Sequence, residues 1–174
     1  KEVLISRAAR QVFFPADFLW VTAMNPCPCG FYTDSERECY CTPDQVQRYR
    51  SKLSGPLLDR IDIRIDVERM SLVDLMQDND SEENSSIIRQ RVSWARERQK
   101  VRQGKLNSAL SSREIKAVCG LSLENQRYAN KAATQLHLSA RGYFRVLRLA
   151  RTVADHQGQN EVQKVHLSQA FTWR

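Results

Sequence analysis

The run Phe18-Leu-Trp-Val-Thr-Ala-Met-Asn25-Pro-Cys-Pro-Cys-Gly30 and the later segment Leu53-Ser-Gly-Pro-Leu-Leu-Asp-Arg60-Ile-Asp62 decide how this chain is read. The first is an apolar stretch that stops at an asparagine and a Pro/Cys/Gly turn, the pattern of a buried strand delivering one polar side chain at its end. The second ends in an arginine between two aspartates. From Ile61 to Val67 apolar and charged residues then alternate, which predicts a strand with one buried face. A strand ending in Asn and an Arg held on a turn are parts that sense or complete a phosphate in a nucleotide site. The phosphate cradle itself, G-x-x-x-x-G-K-[ST], occurs nowhere in the 174 residues. The expectation is therefore the later part of a nucleotide-dependent protein.

Working outward, residues 3–5 and 12–14 are β-prone pieces around a polar middle that carries Arg7 and Arg10, and they predict a hairpin ended by Pro15. Residues 26–43 form a Pro/Cys/Gly-rich loop. Thr42 and Pro43 open a short helix to about residue 53. The acidic, polar residues 77–86 mark a linker, drawn at 70–86. Beyond it the pattern is helical. Ser86 precedes a helix over 87–103, ended by Gly104; Ser111-Ser-Arg-Glu114 is a capping box; Ser122 and Ser139 cap helices over about 123–136 and 140–157, and a last helix lies near 166–172. The expected organisation is a partial α/β core over 1–69, a linker over 70–86 and an all-α bundle over 87–174.

Four of the five cysteines follow Cys27-x-Cys29-x9-Cys39-x-Cys41. Four thiolates in one loop suit a tetrahedral structural Zn²⁺. The C-x-C spacing is tighter than the usual C-x-x-C, so reduced free thiols and disulfides stay as alternatives. Cys119, in Ala117-Val-Cys-Gly-Leu121, reads as a small buried hydrophobe. His137, His156 and His166 are isolated from acids and cysteines at ligand spacing and read as structural, and Trp20, Trp94 and Trp173 as packing residues.

Met24-Asn-Pro-Cys-Pro-Cys-Gly30, Cys39-Tyr-Cys-Thr-Pro-Asp44, Tyr49-Arg50, Leu53 through Asp62, and Leu138-Ser-Ala-Arg141 through Ala154-Asp155 together resemble the bacterial magnesium-chelatase-like AAA+ family, the competence-associated ComM/YifB group. The resemblance covers nearly the whole chain and places it after the family's Walker A and Walker B segments. It implies ATP and Mg²⁺ as cofactors of the longer protein, a hexameric ring built from copies of itself, a cytoplasmic location and, for ComM members, branch migration of DNA. The fold it implies is a partial AAA+ core followed by a helical lid. By the same resemblance Asn25 is sensor 1, Arg60 the arginine finger, Arg141 sensor 2, and the hairpin with Arg7 and Arg10 a pore element that meets DNA.

Residue chemistry fits these roles and also plainer ones. The carboxamide of Asn25 holds water or a phosphate oxygen, or simply makes a turn before Pro26. The guanidinium of Arg60 forks onto phosphate oxygens, or pairs with Asp59 or Asp62. On a helix opened by Ser139, Arg141, Arg145 and Arg148 share one face, and the last two read as a solvated or interface stripe.

Charge is unevenly spread: residues 111–174 hold ten Lys/Arg and four Asp/Glu, whereas residues 1–110 hold seventeen and sixteen. A basic end suits phosphate or nucleic acid, or is a solvated helix face. No apolar run approaches the roughly 20 residues of a membrane helix. The competing reading is a non-catalytic, zinc-stapled basic module that grips nucleic acid. On either reading, ATP hydrolysis by these residues alone is not expected.

Overall fold

The computed structural model describes residues 2–7, 10–70 and 83–174. The chain forms two compact units, Lys1–Lys52 and Leu53–Arg174. Residues 71–82, most of the expected linker, lie outside the described residues.

In the first unit, strands β1 (Glu2–Arg7) and β2 (Arg10–Pro15) form an antiparallel hairpin. The register sets Val3 opposite Phe14, Leu4 opposite Phe13 and Ile5 opposite Val12. Such β-branched and aromatic cross-strand pairs are what hold a two-stranded ladder. Arg7 and Arg10 form the last pair, at the closed end. Both faces of the hairpin stay largely exposed.

Phe18 to Met24, expected as a strand, pairs with no strand among the described residues, and Leu19 and Val21 are 89% and 79% exposed. The alternating run 61–67 is likewise not in a sheet. A strand exists only through its ladder, and among the described residues the hairpin is the whole sheet. The mixed α/β character thus rests on this hairpin, and the rest is mostly helical.

Helix α1 (Pro43–Arg50) starts as its sequence dictates. Thr42 Oγ1 accepts from the Gln45 N–H, the Gln45 side chain accepts from the Thr42 N–H, and Pro43 fills the first turn, where no amide is needed.

The second unit opens with a one-turn helix α2 (Gly55–Leu58), which the sequence reading did not separate from its loop. Helices α3 (Ser85–Gln103), α4 (Ser112–Cys119), α5 (Leu123–Gln135), α6 (Ala140–His156) and α7 (Lys164–Thr172) follow. The cap of α3 is Asn84, whose Oδ1 accepts from the Ser86 and Ile87 N–H groups, so Ser86 lies inside the helix it was expected to precede. Ser111 with Glu114, Ser122 and Ser139 cap α4, α5 and α6 as expected. Gly104 and Gly120 end α3 and α4 at φ 73° and 50°, conformations that favour glycine.

Helix α6 is the hub. Its Val146, Leu147, Ala150 and Ala154 are buried with Ile115 and Cys119 of α4, Ala129 of α5, and Leu167, Ala170 and Phe171 of α7. Burial pushes the Cys119 thiol up to about 12, and its Sγ lies 3.6 Å from the Leu147 carbonyl, as befits an inert core group. His166 is also buried: its Nδ1 accepts from the Gln163 N–H at 2.9 Å and its Nε2 faces Gln157 Oε1 at 3.0 Å.

One charged cluster crosses this core. Asp155 of α6 is fully buried and paired with Arg102 of α3 and with Arg151, 3.0 Å away. Asn107 Nδ2 donates to Asp155 Oδ2 at 2.8 Å, while the Asn107 N–H donates to Gln99 Oε1 at 2.9 Å. Arg151 donates to the Asn160 and Gln159 carbonyls at 2.7 and 2.6 Å, closing the turn after α6. Burial alone would raise the Asp155 pKa, but the bonds from Arg102 and Asn107 and the two guanidinium charges lower it.

Replacing Asp155 with alanine strands two guanidinium groups, and we predict a loss of about 3–5 kcal/mol of unfolding free energy in urea titration. Because the folded-state pKa is depressed, this contribution is present above the ordinary aspartate value of about 3.9 and is lost as pH falls through the folded value. Wild type is therefore expected to lose stability on acidification below about pH 4, by an amount that the Asp155→Ala variant does not lose.

Candidate functional site

In the first unit the cysteine loop is folded by local bonds. The Gly30 N–H reaches the Cys27 carbonyl at 3.1 Å with Gly30 at φ 87°, and Asp34 Oδ1 accepts from the Glu36 and Arg37 N–H groups at 2.9 and 2.8 Å. Arg50 of α1 donates through Nε to the Pro26 carbonyl at 3.2 Å and lies 4.7 Å from the Tyr32 ring centre, so the helix grips both ends of the turn.

These restraints gather four sulfurs. Cys27, Cys29, Cys39 and Cys41 have their Sγ atoms within 4.8 Å of one another, and Cys27 is wholly buried. Cys27–Cys29, Cys29–Cys39 and Cys27–Cys39 are separated by 3.3, 3.5 and 3.7 Å. All four are free thiols rather than disulfides. Tetrahedral Zn²⁺ with Zn–S bonds of about 2.3 Å sets its sulfurs about 3.8 Å apart, close to this spacing. The donor set therefore fits a metal ion.

The titration of the cluster is divided. Burial raises the Cys29 pKa, but the Phe31 N–H and the neighbouring thiols outweigh it and bring it to about 6. Cys39 is pushed up to about 12: its bond from the Cys41 backbone lowers it, but burial and its hydrogen bonds to the other sulfurs prevail. Burial with the same neighbours also raises Cys41. A metal ion taking these sulfurs would have to displace their protons.

Asn25 lies at the start of this loop, exposed, with its amide nitrogen 3.9 Å from where a Cβ on Gly30 would be. Arg60 and Arg141 belong to the second unit.

Arg60 is exposed, and its Nη1 donates to the Pro56 carbonyl one turn back at 2.9 Å. Neither flanking aspartate pairs with it. Asp59 receives Arg174 Nη2 at 3.1 Å and lies 3.2 Å from Ser139 Oγ, and Asp62 faces Arg145 Nη1 at 3.2 Å. Among the described residues Arg60 is left without an ion pair. The expected alternative, an Arg60 salt bridge to Asp59 or Asp62, is thereby corrected: Arg174 is bonded to Asp59, and Arg145 lies at ion-pair distance from Asp62.

Arg141 is also exposed and, among the described residues, makes no hydrogen bond or ion pair. It lies in the first turn of α6, two residues after the Ser139 cap. The other two arginines of its face, expected as a solvated or interface stripe, pack against other parts of the unit. Arg145 keeps only 19% of its side chain exposed and sits against Asp62. Arg148 donates through Nε and Nη2 to the Leu110 carbonyl at 3.1 and 2.9 Å. Amphipathic periodicity identified the face but not the loop and the carbonyl that cover it.

Sequence reasoning missed Arg174. Its side chain is 2% exposed, donates to the Ile61 carbonyl at 2.5 Å and pairs with Asp59. Burial lowers its pKa, with Arg64 adding to this and Asp59 opposing it. Nothing around Arg174 in the sequence signals this, because its partners lie more than a hundred residues away.

Residues 1–75 match the family model "Magnesium chelatase, subunit ChlI" and residues 82–174 match its C-terminal model. The chain is 40% identical over 173 residues to competence protein ComM of Haemophilus influenzae, and 38% and 36% identical over 173 residues to YifB of Escherichia coli and of Salmonella typhimurium. Each alignment covers 99% of this chain and 34% of the relative, so the chain spans about a third of the length of the curated relatives it matches. It belongs to the magnesium-chelatase-like family that includes ComM and YifB. No helix among the described residues is long and apolar enough to cross a membrane.

For the cysteine cluster we expect about one equivalent of zinc in protein purified without chelator, measured by elemental analysis. Cys27→Ser and Cys39→Ser should each abolish it, and retention should weaken on acidification as protons compete for sulfur. Zinc at trace level in wild type would leave four plain thiols.

Proposed function

We propose that this chain is part of an AAA+-type ATPase that uses ATP and Mg²⁺ to remodel DNA or drive its branch migration. Asn25 acts as sensor 1, Arg60 as the arginine finger and Arg141 as sensor 2. Bound Mg²⁺-ATP supplies the phosphoryl group and the metal that neutralises its oxygens. The chain's own residues orient and stabilise. The neutral carboxamide of Asn25 holds water or a phosphate oxygen, Arg60 reaches across a subunit interface to charge developing in transfer, and Arg141 reads the nucleotide from the first turn of α6.

The observation that carries this reading is the state of Arg60. Its neighbouring carboxylates, Asp59 and Asp62, are taken by Arg174 and Arg145, which leaves an exposed, permanently charged fork on a braced turn. Family membership and the competence name of one relative support the DNA assignment.

In the same reading residues 1–69 belong to an AAA+ core, 70–86 link it to a helical lid at 87–174, and the protein works in the cytoplasm as a hexameric ring. Arg7 and Arg10, paired at the hairpin's closed end, face the DNA backbone. The cysteine cluster holds a structural zinc. The alternative, a non-catalytic zinc-stapled module, draws on the cysteine cluster but gives no role to the exposed Arg60 and Arg141.

In the complete natural protein, Arg60→Ala should lower ATPase kcat about a thousandfold or more while leaving nucleotide affinity nearly unchanged. ATPase activity retained in that variant would refute the finger assignment.

A further inference from the structure

Asp59 accepts hydrogen bonds from two directions. Arg174 Nη2 donates to Asp59 Oδ1 at 3.1 Å, and the Ser139 hydroxyl donates to Asp59 Oδ2 at 3.2 Å. The same Ser139 Oγ accepts from the Gly142 N–H at 3.0 Å, closing the first turn of α6. One carboxylate thus joins the residue before Arg60 to the cap of the helix that carries Arg141.

The neighbourhood is built around this junction. A Cβ on Gly142 would lie 3.3 Å from both Arg174 Nη2 and Asp59 Oδ1, so glycine in the first turn lets the ion pair sit against the helix backbone. Arg174 Nη1 holds the Ile61 carbonyl at 2.5 Å, the Arg64 N–H donates to the Trp173 carbonyl at 2.9 Å, and Arg64 Nη2 donates to the Leu58 carbonyl at 3.1 Å. Arg145, one turn into α6, meets Asp62 on the other side of Arg60. The loop from Leu58 to Arg64 is thus tied to α6 at two aspartates and to the residues after α7 at two carbonyls.

We propose that Asp59, Ser139 and Arg174 are positioning residues that fasten the Arg60 loop to the first turn of α6, so that Arg60 and Arg141 move as one body. The inference rests on the roles given to Arg60 and Arg141 above. A nucleotide contact that displaces the start of α6 then displaces Arg60 by a similar amount. Packed junctions of this kind shift between discrete arrangements instead of deforming smoothly. Misplacing a transition-state group by about 1 Å costs on the order of a hundredfold in rate. The junction therefore couples occupancy sensed at Arg141 to the activity of Arg60 at the subunit interface.

The test is steady-state ATPase measurement on the complete natural protein carrying Arg60→Ala, Asp59→Asn, both together, and Ser139→Gly. The glycine keeps a tolerated helix cap while removing the hydroxyl that reaches Asp59. We expect Asp59→Asn and Ser139→Gly each to lower kcat about tenfold or more with nucleotide KM little changed. The double variant should be no slower than Arg60→Ala alone, because Asp59 acts only through Arg60. A double variant clearly slower than Arg60→Ala would show general damage and overturn the inference. Wild-type kcat in Ser139→Gly and in folded Asp59→Asn, with Arg60→Ala inactive, would overturn it while leaving the finger in place. If Asp59→Asn does not fold, Ser139→Gly alone decides. Activity in Arg60→Ala removes the finger assignment and this inference with it.

Discussion

Asp59 and Asp62 flank Arg60 in sequence, and each carboxylate is claimed by an arginine from another part of the second unit. An arginine between two aspartates would otherwise fold back on them and be of little use to a partner. Arg174, almost wholly buried, and Arg145, on the face of α6, take the aspartates instead. The loop is held by those charges while Arg60 itself stays exposed and, among the described residues, is braced only by the Pro56 carbonyl. Preorganisation of this sort lets a charged group act on developing charge without first breaking its own ion pairs.

Helix α6 makes that arrangement possible. Its apolar face is the centre of the helical core, and its buried Asp155 is bonded to Arg102 and Asn107, which ties α3 and the turn before α4 to the same axis. Its N-terminus, capped by Ser139, carries Gly142 and Arg141. One helix therefore connects the core, the cap that meets Asp59 and the exposed Arg141. The two ends of α6 are held by carboxylates of different character. Asp155 is sealed in the core, whereas Asp59 lies at the margin and is a third exposed.

The sequence was most legible where structure is local. Thr42, Ser111, Ser122 and Ser139 cap the helices expected of them, and Gly104 ends α3, because a cap needs only residues within a turn. The four cysteines also declared themselves, being within fifteen residues of one another and now gathered by their sulfurs. Long-range partners were not legible. The loop and carbonyl that cover Arg145 and Arg148 and the pairing of Asp59 with Arg174 depend on contacts that periodicity does not encode. The runs 18–24 and 61–67 have strand sequence without a ladder among the described residues, since propensity supplies a side-chain pattern but not a neighbour.

A structure of the complete protein with Mg²⁺ and a non-hydrolysable ATP analogue addresses the central claim most directly. The prediction is that Asn25 and Arg141 approach the terminal phosphate of one nucleotide, with Arg60 of an adjacent subunit within hydrogen-bonding reach, about 3 Å, of a phosphate oxygen. Arg60 directed into solvent or back onto Asp59, far from any nucleotide in the assembly, would contradict it.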